Sequence, residues 1–323
     1  MNLFDFHCDT LMRLYELESQ GKHQETLWKN EGHIDMERLI KSHYTAQCFA
    51  CFLCLEEKPV KVSLYEDALA MADLFYKEVE SHKDVVAFAG SYEDYQENKK
   101  NGKLSGILTI EEGGILENKL ERLEELFEKG IRMITLTWNF ENCLGYPNHK
   151  YEHQFQGLKP FGIEALERMD ELGIIADVSH LSDGGFEDVY RYGKRPFIAT
   201  HSNARTIREH NRNLTDDMLR KLAERGGVTG LNFGGSFLQD DGKSTTQAMM
   251  KHLRHMMNVG GREIMVLGTD FDGVEDQLEI DGCQQMNKLV EEMDKAHFTT
   301  GEIEAVCYQN AEQFLKRYDL SQE

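Results

Sequence analysis

Short, continuously apolar runs alternate with stretches of helical periodicity along nearly the whole chain. The apolar runs fall at 3–6, 46–55, 106–110, 133–137, 174–178, 197–200, 228–232 and 264–267. They lack the in–out alternation of a sheet with one wet face, and so predict strands buried on both faces, as in a parallel sheet. Between them, apolar residues recur every three or four positions at 64–81, 120–129, 160–172, 216–225, 245–259 and 284–296, which predicts amphipathic helices. Eight such units fit an α/β fold of the (β/α)8, TIM-type barrel class, with helices over 301–317 as a C-terminal closure. No repeat, low-complexity tract or Pro/Gly-rich linker interrupts the pattern, so one barrel domain over 1–323 is expected. A dinucleotide-binding doubly wound sheet is disfavoured, because no Gly-x-Gly-x-x-Gly follows a strand; the pairs at 113–114, 184–185 and 234–235 suit tight turns.

Composition narrows the partners. A net charge of -21 argues against nucleic acid and anionic membranes, which would repel the chain. No apolar run approaches a membrane span, and Met1 leads straight into the first strand pattern, so a cytoplasmic protein is expected. Seven cysteines suit a reducing compartment. The spacing of Cys48, Cys51 and Cys54 suggests a thiolate cluster, but in an extended strand Cys48 and Cys51 face opposite sides. They read better as small buried hydrophobes.

The chemistry of a barrel sits at the carboxyl ends of its strands. Those ends carry His7 and Asp9, Glu111 and Glu112, Trp138 and Asn139, His180, His201, Asn232, and Asp270 with Asp272. His7 and Asp9, two residues apart, project together from an extended strand end and could ligate one divalent ion. Asp9 or Thr10 could equally cap the following helix. Three imidazoles with two or three carboxylates form a nitrogen/oxygen set suited to zinc, with manganese, iron or cobalt as alternatives. That set exceeds the three protein ligands of a single catalytic zinc, whereas two ions sharing a carboxylate would use it and leave a place for a bridging water. A further carboxylate could move protons, and Asp270 is its natural candidate.

Seven motifs then stand in order: His-Cys-Asp-Thr at 7–10, Ile-Glu-Glu-Gly-Gly at 110–114, Ile-Thr-Leu-Thr at 134–137, Asp-Val-Ser-His at 177–180, Thr-His-Ser-Asn-Ala at 200–204, Asn-Arg-Asn at 211–213 and Gly-Thr-Asp-Phe-Asp-Gly at 268–273. Together they resemble the membrane dipeptidase (renal dipeptidase-like) family of zinc peptidases, over about residues 2–320. The resemblance implies a (β/α)8 barrel, two Zn2+ ions and hydrolysis of dipeptides through a metal-bridging hydroxide, with a D-residue tolerated at the C-terminal position. It implies that His7 and Asp9 ligate one ion, that His180 and His201 ligate the other, and that Glu112 bridges, with Glu111 turned to the opposite side. It also implies that Arg212 binds the substrate carboxylate and that Asp270 is the catalytic aspartate. A homodimer is compatible with it. Mammalian members carry a substrate-contacting histidine after Thr-Leu-Thr, whereas Trp138 follows Thr137 here; Trp138 and Asn139 are therefore expected among the substrate contacts. His149 or His153 could replace that histidine. Hydrolysis of another amide or ester, such as an N-acyl amino acid or lactam, is the alternative that Trp138 motivates. The secretion signal and lipid anchor of animal members are not seen, so a soluble, microbial-type enzyme is expected.

Overall fold

The computed structural model describes residues 1–22, 24–55, 63–274 and 277–320. Among the described residues nine parallel strands run in chain order: β1 (Leu3–Asp5), β2 (Tyr44–Phe52), β3 (Val86–Phe88), β4 (Leu104–Glu111), β5 (Ile131–Thr135), β6 (Ile175–Asp177), β7 (Ile198–Ala199), β8 (Val228–Leu231) and β9 (Met265–Leu267). β1 pairs with both β2 and β9, and β2 pairs directly with β4, which closes eight strands into a (β/α)8 barrel. β3 is an addition to that count. It lies on the first residues of β4, Val86 opposite Leu104, while β5 takes the last residues of the same edge. The eight expected apolar runs are the eight barrel strands. The run Val-Ala-Phe of β3 is too short to have announced itself by pattern.

Every residue of β4 is buried, as a strand covered on both faces must be. The outer face packs against helices such as Leu64–Ser81, Pro160–Leu172 and Thr246–Gly260. The inner face forms a separate core in which Phe6, Cys48, Ile107, Met133, Ile175, Ile198, Val228 and Val266 fill the barrel. Ala311, Phe314, Leu315 and Tyr318 join this core from the helix Asn310–Leu320, which closes the amino-terminal mouth. The expected closing segment is thus two helices, Thr300–Glu304 and Asn310–Leu320, joined through a π-helical turn at Ala305–Gln309. Cys48 lies in the inner core and Cys51 in the outer one. Among the described residues no helix is long and apolar enough to cross a membrane.

Candidate metal centre

Above the apolar filling, the inner surface turns polar. Asp177, at the end of β6, is fully buried and accepts four hydrogen bonds: from Thr135 Oγ1 at 2.6 Å, Thr200 Oγ1 at 2.7 Å, and the Ser179 and Thr200 amides at 2.9 Å each. Because the Thr200 hydroxyl gives its proton to Asp177, it can only accept from His201 Nδ1, 2.8 Å away. The Asn139 side-chain oxygen likewise accepts from His180 Nδ1 at 3.1 Å. Both imidazoles therefore present bare Nε2 lone pairs to the barrel mouth, and these two atoms lie 3.1 Å apart. Two lone pairs facing each other at that distance call for a cation.

The first strand supplies the other half. Asp5 accepts from Thr269 N at 3.0 Å and Oγ1 at 2.6 Å, which pins β1 to the end of β9, and receives the His7 amide at 3.3 Å. Burial pushes the Asp5 carboxyl up to about 6. His7 Nε2 then stands 3.3 Å from Glu111 Oε2, 3.5 Å from Asp9 Oδ2 and 3.7 Å from Asp270 Oδ1. Asp9 precedes the helix Thr10–Ser19 but makes no side-chain cap, and its buried Oδ1 has no hydrogen-bond partner. Gly273 makes room for these carboxylates, since a Cβ there would sit 2.0 Å from Asp9 and 2.5 Å from Asp270.

Glu111 joins the halves. Its Oε2 faces His7, and its Oε1 lies 3.0 Å from His180 Nε2 and 3.6 Å from His201 Nε2. Glu112, the carboxylate expected at this place, is turned away from the cluster: its oxygens take the Gly114 amide, the Asn142 amide group and the Trp138 amide. β4 ends at Glu111, still in register with the inward-facing Ile107, and the backbone then turns to φ 101 at Glu112, which breaks the strand alternation. His180 and Asp270 also sit at positive φ, 68 and 63, so strained backbone gathers around the cluster.

Three overlapping groups in this cluster could each hold an ion: His7, Asp9 and Glu111; Glu111, His180 and His201; and His7, His201 and Asp270, with ligand atoms within 4.8 Å of one another in each. The electrostatics agree with the donor chemistry. Burial raises Glu111 to about 8 and lifts Asp270. Burial, reinforced by Arg212 and by neighbouring imidazoles, holds His180 and His201 well below the usual range. Although burial opposes its charge, Glu111 and Asp9 hold His7 well above that range. A buried set of this kind takes up protons or divalent cations, and a bound cation restores the carboxylates to their charged form.

The cluster floors a cleft of about 470 Å³. Met12, Phe52, Trp138 and Phe237 give it apolar surface, while Asn139, His149, Lys150, His210 and Arg212 give it polar surface. Arg212 is 5% exposed, yet none of its three guanidinium nitrogens has a hydrogen-bond partner. Asp270 Oδ2 is anchored by Asn232 Nδ2 at 2.8 Å. Asp272 also borders the cleft, but its carboxylate is engaged, accepting from Thr10 Oγ1 at 2.5 Å and the His33 amide at 2.7 Å. His149 lines the cleft, whereas His153 packs on Tyr146 and meets Gln156 outside it. Of the supporting residues, Asp177 and Thr200 open two of the motifs without spacing assigning them a role, and Asn142 lies outside all seven. Their roles come from partners distant in the chain.

A (β/α)8 barrel whose carboxyl mouth gathers histidines and carboxylates with ligand spacing defines a metal-dependent hydrolase. The profile of the membrane dipeptidase family (peptidase family M19) matches residues 1–322, and the chain belongs to that family. It is thus a metallodipeptidase. The solved structure of the metallopeptidase dipeptidase AC is similar, with a TM-score of 0.90, 25% identity and 98% of each chain covered. A metallopeptidase from Rhodobacter sphaeroides, solved with a phosphinate mimic of the dipeptide L-Ala-D-Ala, has the same fold at a TM-score of 0.90 and 24% identity, over 98% of this chain and 99% of that one. In sequence the chain is 27% identical to an uncharacterized dipeptidase of Schizosaccharomyces pombe, over 89% of this chain and 73% of the relative.

Proposed function

We propose that the chain hydrolyses dipeptides at a centre of two divalent ions, zinc by preference, held by His7, Asp9, His180 and His201 with Glu111 shared between them. The observation that carries this reading is the orientation of Glu111, one oxygen toward His7 and the other toward His180 and His201. His7 Nε2 and Asp9 Oδ1, buried and without a hydrogen-bond partner, fit the same set. Ions bound there would supply an activated water near neutral pH and polarise the scissile carbonyl.

The remaining steps fall to the chain itself. Arg212, buried and unpartnered, binds the substrate's C-terminal carboxylate, for which its planar fork is suited. Trp138, Phe52, Met12 and Phe237 bound the cleft around the substrate side chains and exclude water. Asp270, fixed through Oδ2 by Asn232, keeps Oδ1 toward the centre and carries a proton from the attacking water to the departing amine. Its burial-raised carboxyl suits a group that must hold a proton and release it.

The similarly folded Rhodobacter protein holds a mimic of L-Ala-D-Ala, which makes that dipeptide the first substrate to try. Chelation should abolish its hydrolysis, and stepwise Zn2+ should restore it with a break near two equivalents. Turnover that persists after the metal content has reached zero would refute the mechanism. A metal-loaded enzyme that cleaves N-acyl amino acids but no dipeptide would shift the reading to that other amide, which the loss of a histidine at Trp138 motivates.

A further inference from the structure

Glu112 is fully buried, and its carboxylate is held by three hydrogen bonds, none from a charged group. Oε1 accepts from Gly114 N at 2.6 Å and Asn142 Nδ2 at 2.5 Å, and Oε2 accepts from Trp138 N at 3.0 Å. The backbone beneath it, at φ 101 and ψ 84, is of the kind that favours glycine. A Cβ on Gly114 would stand 2.5 Å from Oε1, so that neighbour must remain glycine to admit the carboxylate. Strain and a buried charge concentrated in one side chain mark a position with a task.

The three donors show what the task is. The Trp138 amide lies just beyond β5, and Asn142 gathers the loop that follows. Its Nδ2 also donates to Leu136 O at 2.8 Å, and its Oδ1 accepts from Leu144 N at 2.7 Å and Gly145 N at 3.1 Å. The loop carries the indole of Trp138, which meets Phe52 edge-on at 4.8 Å, Phe140 at 5.7 Å and His180 at 6.1 Å between ring centres. We propose that Glu112 is a positioning residue: it holds no metal, but pegs the Trp138–Gly145 loop so that Trp138 forms a fixed wall against an apolar substrate side chain. The inference rests on reading the cleft as a dipeptide site. It separates two adjacent glutamates by task, Glu111 for the ions and Glu112 for the wall.

The chain has two tryptophans, so a Trp28→Phe background leaves Trp138 as the sole indole reporter. There, Glu112→Gly should shift Trp138 emission to the red and raise its quenching by acrylamide, while both metal equivalents are retained. For dipeptides with apolar side chains, KM should rise about tenfold with kcat within about threefold, the scale of one or two lost buried hydrogen bonds. In a Trp138→Ala background the same substitution should change KM by no more than about twofold, because coupled residues fail to add. Glu112→Gln keeps the shape but sets an amide NH2 against at least one of three donors; it should move emission and KM in the same direction, and serves if the glycine variant does not fold. Loss of metal in either variant would overturn the proposal. So would unchanged emission and KM, or a KM effect that persists undiminished without Trp138. If the wild type turns over no dipeptide, the dipeptide reading fails, but emission and metal content still decide what Glu112 does.

Discussion

At the amino-terminal mouth of the barrel, Phe4 stacks on Phe6 at 4.9 Å, Phe6 meets Phe314 edge-on at 6.0 Å, and the Tyr95 hydroxyl donates to Glu312 at 2.6 Å. At the carboxyl mouth stand His7 Nε2, Asp9 Oδ1 and the whole Arg212 guanidinium without hydrogen-bond partners, with positive φ at Glu112, His180 and Asp270. The lower mouth leaves scattered single atoms such as Tyr44 Oη without a hydrogen bond, whereas the upper gathers its unsatisfied ligand atoms and a whole guanidinium around one cluster. Buried polar groups are ordinarily hydrogen-bonded, so the second mouth gives up stability for the metal-dependent chemistry of the family. The lesson is a division of labour along the barrel axis, with cohesion at the bottom and chemistry at the top.

Removing the metals should separate the two ends most sharply. Chelation is expected to lower dipeptide hydrolysis by roughly three orders of magnitude or more while the far-ultraviolet circular dichroism stays native, with Zn2+ restoring activity. Next in size, Glu111→Gln should lower kcat by about 10³ with loss of bound metal, measured by rates and elemental analysis on the same sample. Equal losses from Glu111 and Glu112 substitutions would erase the distinction drawn between them. Asp270→Asn should keep its metals yet lose about 10²–10⁴ in kcat. Arg212→Met should raise KM about ten- to a hundredfold, the worth of charge-assisted hydrogen bonds to a carboxylate. Because it also removes a buried guanidinium with no hydrogen-bond partner, the same variant should melt at a higher temperature than the wild type, and a lower Tm would show that the ring of Phe237 and the nearby carboxylates already compensate its burial. Phe314→Ala should do the reverse: it should cost about 3–5 kcal/mol of stability and leave kcat/KM of the folded fraction unchanged.

Much of this was legible along the chain. Eight apolar runs gave the barrel strands because a strand buried on both faces must be apolar throughout, and strand ends could be inspected for chemistry without any structure. The same continuity hid which face of each strand looks inward. Ile107, Thr109 and Glu111 share a face of β4, but nothing in Gly-Ile-Leu-Thr-Ile-Glu-Glu says that it is the inner one. The pattern therefore left the two glutamates interchangeable, and likeness to the family motif favoured Glu112, the one directly before Gly-Gly. The turn to positive φ at Glu112 sends the second carboxylate back toward the Trp138 loop, which supports Glu111 rather than Glu112 in the proposed centre.

The sequence by itself determined the architecture, the residue types of the centre and their order, because periodicity and strand-end position are local properties of a chain. Only the tertiary structure decided which oxygen faces which imidazole, that Asn139 and Thr200 set the tautomers of His180 and His201, and that Arg212 lies buried without a hydrogen-bond partner in the same cleft. These are relations between residues far apart in the chain. They exist only once closure of the barrel brings β1 against β9 and β2 against β4.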